Sequence, residues 1–582
     1  MADAASMNPA EHAAQEALAT MYRCLDQRQS FLFEAGAGAG KTESLVRALR
    51  YLIDKQGSEL LRQHQRIACI TYTNVASDEI TSRTDGHPVI VSATIHSFCW
   101  SLIKDFQPFL RKKIPELTNW KQKLTEAGVA DVGARKIEYD LGYRSIKEDQ
   151  VFIGHNDVLS LTVELMAQAK FRAVFTSRYP ILLIDEYQDT NKELAHALLT
   201  YFIDAREGPL IGFFGDHWQK IYGDGCGKIE QSSLKFIGMK ANFRSAPPIV
   251  DVLNKMRPEL PQNVKDNKAE GAVTVYHTND WTGTRLSGGH WLGDLPPKDA
   301  HDYLEKLKAQ LVAEGWNFSP EETKILMLTH NILANEQGYN SLFEIFSDRR
   351  DALFKKEDPH ISFLADTLEP ACMAYENKLY GEMFAALGGH TPAIRSHADK
   401  TEWTDSMEKL LELRASSTIG AVIDHLRRSK KPHLPDGVEQ KEQALEQYIE
   451  GKDSDKSIER VRDLKKVSYQ EILALDRFID EKTPFSTKHG VKGAEFENVL
   501  VVFGRGWNQY DFNKFLERAD APEKIPSDKR DAYERNRNLF YVTCSRPKKR
   551  LALLFTQKLS YQALGTLASW FGKGAIKSVV SA

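Results

Sequence analysis

Two short strings in this sequence carry chemistry in their residue types and spacing. The first, Ala35-Gly36-Ala37-Gly38-Ala39-Gly40-Lys41-Thr42, follows an apolar run ending at Glu34 and opens a segment, Glu43 to Ile53, with apolar residues at helical spacing. Between a strand and a helix, the loop Gly36, Ala37, Gly38, Ala39, Gly40 can wrap backbone N–H groups around phosphate oxygens. Lys41 would neutralise the outer phosphates and the Thr42 hydroxyl would hold Mg²⁺. The strict pattern has glycine where Ala35 stands. The second string, Ile181-Leu182-Leu183-Ile184-Asp185-Glu186, ends an apolar run in two adjacent carboxylates. In a phosphate site such a pair divides the work. Asp185 serves the Mg²⁺ shell, and Glu186 accepts a proton from the attacking water. Each string alone also fits a turn or a solvated strand end; together they point to nucleoside triphosphate hydrolysis.

The elements that must position these strings follow a strand and helix rhythm. An Ala-rich amphipathic segment from Asn8 to about Gln27 precedes the strand at Ser30 to Glu34, and further strand runs stand at Arg66 to Tyr72, Val89 to Val91, Tyr179 to Glu186 and Leu210 to Gly215. Alternation of this kind implies a parallel sheet. A second series, Val273 to Tyr276, Lys324 to Leu328, Val499 to Phe503 and Arg550 to Phe555, implies a second sheet. Between them, residues of about 100 to 170 and 340 to 475 are charged and helical in spacing. The simplest architecture is two α/β domains, each with a mainly helical insertion. The boundaries fall at 1–100, 101–170 (insertion) and 171–245, then 246–339, 340–475 (insertion) and 476–582.

Composition bounds the rest. The chain has 582 residues, 42% hydrophobic and 27% charged, enough for several domains without staples. Its 77 basic and 80 acidic residues give a net charge of -3, so any nucleic-acid binding must use a local groove. The six cysteines form no C-x-x-C pair, which argues against a zinc ribbon or disulfide framework and for a reduced, cytoplasmic protein. No apolar stretch reaches the ~18 residues that span a bilayer.

Asp185-Glu186-Tyr187-Gln188-Asp189-Thr190 resembles the D-E-[FY]-Q-D-T block of UvrD/Rep/PcrA-type superfamily 1A DNA helicases. The family's other blocks follow in order. Thr71 to Ala76 is similar to motif Ia, Thr94 to Phe98 to motif Ib, Gly215 to Gly223 to motif III, and Asn242 to Ser245 to motif IV. Thr487 to Phe496 resembles motif V, and Leu539 to Arg546 motif VI. The resemblance covers both α/β domains but not the insertions, and implies two RecA-like P-loop NTPase domains with 1B-like and 2B-like insertions, using ATP and Mg²⁺. It implies that Arg244 and Arg546 act as arginine fingers, that Gln219 senses the γ-phosphate, and that Glu495 binds ribose or links ATP to the DNA groove. Phe243 would stack near adenine. Tyr72, Asn74, His96, Tyr222 and His489 stand where the family contacts single-stranded DNA.

Some positions depart from the family. Glu43 follows the Lys-Thr pair where relatives commonly have Arg, and the tail after motif III reads Asp224-Gly225-Cys226 instead of aromatic-Arg-Gly. The adenine-selecting glutamine has Glu11 at its place, with Gln15 as the candidate. The resemblance implies an ATP-dependent helicase or translocase, 3′→5′ on single-stranded or partial duplex DNA, in DNA repair or anti-phage defence. Its rival is a DNA-activated ATPase that serves a partner. Compact relatives such as the GajB subunit of Gabija anti-phage systems work beside an OLD-type nuclease. A non-catalytic scaffold is disfavoured by the intact Lys41, Thr42, Asp185, Glu186, Gln219, Arg244 and Arg546. A 5′→3′ RNA helicase is disfavoured by the Asp185 to Thr190 string.

Overall fold

The computed structural model describes residues 8–140, 144–221, 223–327, 330–388, 394–449, 455–480, 482–487, 494–504 and 510–579. The chain forms two compact units. The first comprises Met1–Thr274, Tyr510–Leu551 and Ser560–Ile576, and the second Val275–Gln509, Ala552–Leu559 and Lys577–Ala582.

The first unit is built on a six-stranded sheet in the order Ile90–Thr94, Ile67–Thr71, Ile181–Asp185, Leu210–Gly215, Phe31–Ala35, Lys235–Met239. All its pairings are parallel. Successive strand side chains point to opposite faces, and both faces are covered, which is why these strands read as unbroken apolar runs. Phe31, Phe33, Ile67, Cys69, Ile181 and Leu183 join Leu45 and Leu49 of the helix Lys41–Arg62 on one face. Leu32, Ala68, Ile70, Leu182 and Ile184 join Phe98, Trp120 and Phe175 on the other.

The insertion after residue 100 is helical, with Gln107–Lys113, Thr118–Glu126 and His155–Met166, but it also holds a small sheet that the sequence reading passed over. There Gln150–Ile153 lies between Lys136–Tyr139, parallel, and Ser145–Ile146, antiparallel. Ile137, Val151 and Ile153 share the core of the main sheet's second face. The buried Asp157 fixes this layer, accepting from Trp120 Nε1 at 3.0 Å and from Arg144 at 2.7 and 2.9 Å.

A second six-stranded sheet has the order Phe485–Thr487, Thr323–Met327, Phe496–Phe503, Pro547–Phe555, Ala272–His277, Ile576–Ser578. Thr323–Met327 pairs in parallel with both its neighbours. Ile325, Met327, Leu500 and Val502 pack with Leu304, Leu307 and Leu311 of the helix Pro297–Ala313. The helices from Asn340–Ile345 to Gln470–Ile479 enclose a separate core that includes Leu364, Leu368, Met407, Val422 and Ile472. Among the described residues, no helix is long and apolar enough to cross a membrane.

Three strands that the sequence reading passed over, Lys235–Met239, Phe485–Thr487 and Ile576–Ser578, lie at sheet edges. An edge strand is paired on one side only and is short or partly exposed, so it lacks the continuous apolar signature. Lys235 and Phe236 are exposed.

Candidate nucleotide site and nucleic-acid face

The glycine loop runs from the buried strand Phe31–Ala35 into the N-terminus of the helix Lys41–Arg62. Gly38 and Gly40 have φ of 74° and 77°, the left-handed region that glycine enters without strain. A Cβ on Gly38 would stand 2.8 Å from both Arg244 Cβ and Asn242 Oδ1. The loop is gripped from outside its own motif. Asn242 Nδ2 and Gln262 Nε2 donate to the Ala37 carbonyl at 3.1 and 3.2 Å, and the Phe243 N–H donates to Gly38 O at 2.8 Å. The exposed Phe243 ring passes 3.7 Å from where a Cβ on Gly40 would sit.

Lys41 Nζ lies 2.6 Å from Glu186 Oε1. Burial pulls the Lys41 ammonium's pKa down, but the carboxylates of Glu186, Asp185 and Asp216 outweigh it and hold the value above that of an ordinary lysine. Asp185 is the buried end of the strand Ile181–Asp185, and Glu186 follows at φ 52°, a strained conformation for a side-chain-bearing residue that turns its carboxylate out of the strand. Gln188 ties this block to motif III, donating to Glu186 and accepting from the Asp216 N–H at 3.0 Å.

Gln219 Nε2 donates to Asp216 Oδ2 at 2.8 Å, and Arg546 donates to Gln219 Oε1 at 3.0 Å. Arg546 follows the helix Ser527–Cys544 and lies in the first unit. Arg244 donates to the Ser545 carbonyl at 3.1 Å, so both arginines sit with the glycine loop and Glu186 in one unit. Burial, reinforced by Arg244, pushes the Arg546 pKa down to about 9. The buried Arg546 beside the half-buried Arg244 could receive an anion, because a phosphate oxygen would relieve the repulsion between the two guanidinium groups. Thr42 follows Lys41 in the first helical turn, and with Asp185 it could offer the hard oxygen ligands that Mg²⁺ takes.

Glu43 pairs with Arg47 at 2.7 Å and with Arg83, bringing two arginines to the place where relatives commonly carry one. Glu11 closes the cap of the helix Pro9–Asp26 with Asn8, and Gln15 is exposed on that helix. Glu495 is exposed in the second unit. Tyr222 and His489 lie outside the described residues.

Of the nucleic-acid set, Tyr72 and Asn74 are exposed at the end of the strand Ile67–Thr71 and the start of the helix Asn74–Arg83. His96 is half-buried, its ring 4.6 Å from His155, whose Nδ1 meets the Tyr139 hydroxyl. Burial, then the neighbouring His155, pushes the His96 pKa down to about 4, so the ring is neutral near pH 7. The sequence reading did not single out His155, Tyr139 or the loop-gripping Gln262, because only the fold brings them to these motifs. Motif order pointed to Asn242, through its place before Phe243 and Arg244.

The family model for an AAA domain matches residues 18–224, and that for the UvrD-like helicase C-terminal domain matches residues 311–558. The chain belongs to the UvrD-like superfamily 1 helicases. Those helicases are ATP-hydrolysing enzymes that act on DNA. The chain is similar to the Gabija protein GajB of Bacillus cereus (strain HuB5-5), with 24% identity over 93% of this chain and 95% of that protein. It is also similar to the ATP-dependent DNA helicase PcrA of Staphylococcus aureus (strain Mu50 / ATCC 700699), 25% identical over 42% of this chain and 39% of PcrA. A probable DNA helicase II homolog of Mycoplasma capricolum is 22% identical over 49% of this chain and 45% of that protein.

Proposed function

We propose that this UvrD-like helicase hydrolyses ATP between the glycine loop, Glu186 and the Arg244–Arg546 pair, and uses the cycle to move 3′→5′ along single-stranded DNA. The observation that carries the reading is the meeting of Gln219 and the buried Arg546, beside Arg244, in the unit that holds Lys41 and Glu186. Water attacks the γ-phosphorus, the bond to the β–γ bridging oxygen breaks, ADP leaves with that electron pair, and Glu186 takes the water's proton. Lys41 exchanges Glu186 for the phosphates, freeing that carboxylate to act as base. Arg244 and Arg546 stabilise charge on the transferred group. Thr42 and Asp185 would hold Mg²⁺, which would supply charge neutralisation for the phosphates. Phe243 stacks on the base, Gln15 remains the candidate for selecting adenine, and Glu495 binds the ribose or links ATP to the DNA groove.

Tyr72, Asn74, His96, Tyr222 and His489 form the DNA contacts, and motif III joins the two functions, since Gln219 and Tyr222 stand three residues apart. A strand-displacement assay with 3′- and 5′-tailed duplexes tests the polarity. Unwinding from a 3′ tail is expected; unwinding from a 5′ tail alone would refute it.

A second reading has its own support. The tail after motif III folds back on motif II. Cys226 N–H donates to Thr190 O at 2.7 Å, and a Cβ on Gly225 would stand 2.4 Å from Gln188 O. That tail leaves no aromatic there to stack on a base. Together with the end-to-end likeness to GajB, this favours a DNA-activated ATPase acting in anti-phage defence with an OLD-type nuclease partner. Displacement of long duplexes only when the nuclease is present is the outcome that selects it.

A further inference from the structure

Behind the nucleotide site lies a buried ionic cluster that no helicase motif accounts for. Arg257, at the end of the helix Pro247–Met256, is 2% exposed, and its guanidinium makes three ion pairs, one of them through Nε with the exposed Glu259 at 3.4 Å. Nη2 lies 2.8 Å from Glu34 Oε1 and Nη1 lies 2.6 Å from Asp216 Oδ1. Glu34 is 2% exposed and Asp216 0%. Glu34 is next to last in the strand Phe31–Ala35 that feeds the glycine loop, and Asp216 is the second residue of motif III. Glu34 also accepts from the Tyr187 hydroxyl at 2.6 Å, and from the His217 N–H at 3.1 Å, with His217 Nδ1 at 2.5 Å. Burial pushes the Glu34 carboxyl up, but the His217 hydrogen bond, with Arg257 and Tyr187, overcomes it and holds the value at about 2. Glu34, Asp216 and His217 could ligate a metal by their spacing alone, yet the guanidinium already meets both carboxylates.

One fork of nitrogens therefore fastens the strand before the glycine loop to motif III, with Tyr187 of the Asp185–Glu186 block fastened through Glu34. The connection continues outward. Asp216 uses its other oxygen to take Gln219 Nε2, which leaves Gln219 Oε1 turned to Arg546. The Trp218 ring between Asp216 and Gln219 lies 5.4 Å from the Arg257 guanidinium and 4.3 Å from that of Arg537.

We infer that Arg257 is a positioning residue for hydrolysis, holding Asp216 so that Gln219 and Arg546 are aimed at the γ-phosphate. The inference rests on the ATP reading above and assigns it a residue outside every recognised block. Lysine supplies the charge but not a planar fork that reaches two carboxylates at once. Asp216 then swings toward the single ammonium, and Gln219 loses its fixed orientation.

The test compares Arg257→Lys and Arg257→Gln with wild type in DNA-stimulated ATP hydrolysis, with thermal unfolding and binding of a non-hydrolysable ATP analogue measured alongside. The expected result is a folded Arg257→Lys protein whose kcat falls at least about tenfold while its KM and analogue Kd stay within about twofold. Arg257→Gln serves as the uncharged control, and Arg257→Lys carries the test if that control does not fold. A wild-type kcat in folded Arg257→Lys would overturn the inference, since charge alone would then suffice. Equal losses in kcat and analogue binding would also overturn it. If wild type itself does not hydrolyse ATP, the functional reading falls and this inference falls with it, whereas the two preceding results overturn the inference alone.

Discussion

Arg546→Met should leave this protein about as stable as wild type and nearly inactive. Arg546 is 1% exposed, and burial with the repulsion of Arg244 brings its pKa from the ordinary arginine value to about 9. At about 1.4 kcal/mol per pH unit, carrying that charge costs the fold on the order of 5 kcal/mol. Because the folded protein releases this proton more readily than the unfolded chain, the cost is fully present below about pH 9 and fades as pH rises further. Methionine matches the stem and removes the charge. It also removes the hydrogen bonds that the charged group donates to Val542 O and Gln219 Oε1 at 3.0 Å and to Ser545 Oγ at 3.3 Å, together worth about 4.5 kcal/mol at roughly 1.5 kcal/mol each. The two contributions nearly cancel, so at this size the unfolding midpoint should stay within roughly 2 °C of wild type. Loss of an arginine finger lowers kcat by about a thousandfold or more. Thermal unfolding at pH 7.5 and steady-state ATP hydrolysis on the same preparation decide the matter. A variant that melts several degrees below wild type, or one that still hydrolyses ATP at more than a tenth of the wild-type rate, would refute the reasoning.

Other substitutions probe the same arrangement. Gly38→Ala forces φ of 74° on a residue with a Cβ and drives that atom to 2.8 Å from Arg244 Cβ. Nucleotide affinity should fall at least about tenfold, with a stability loss of about 1–3 kcal/mol measurable by denaturant titration. His96, with a pKa near 4 in the folded state against 6.5 unfolded, stabilises the protein at neutral pH and loses that contribution as pH falls between those values. His96→Phe should flatten the decline in stability from pH 7 to 5 by about 1 kcal/mol, allowing for its partial exposure. Tyr72→Ala should weaken single-stranded DNA binding by about 1–3 kcal/mol in fluorescence anisotropy and leave DNA-independent hydrolysis within about twofold of wild type.

The candidate nucleotide site was legible in the sequence where chemistry demands a contiguous string. Gly36 to Thr42 and Asp185 to Thr190 must each be built by neighbours along the chain, so their types and order reveal them. The central strands were legible because burial on both faces leaves no polar alternation to misread. Partnerships between distant segments left no local mark. Arg257 reads as one more surface arginine until the fold sets it against Glu34 and Asp216, and the packing of Tyr510–Leu551 within the first unit has no signature in residue order. The small sheet at Lys136–Ile153 was hidden for a different reason: its strands of two to four residues lie among charged residues, too short to establish a period.

The central claim is that DNA drives hydrolysis at Glu186. The most direct measurement is ATP turnover by the purified protein with and without single-stranded DNA, beside Glu186→Gln, which keeps the shape of the base and removes its proton affinity. Strong stimulation by DNA in wild type and its loss in Glu186→Gln, with ATP still bound, is the expected result. Equal turnover with and without DNA, or full stimulation in Glu186→Gln, would contradict it.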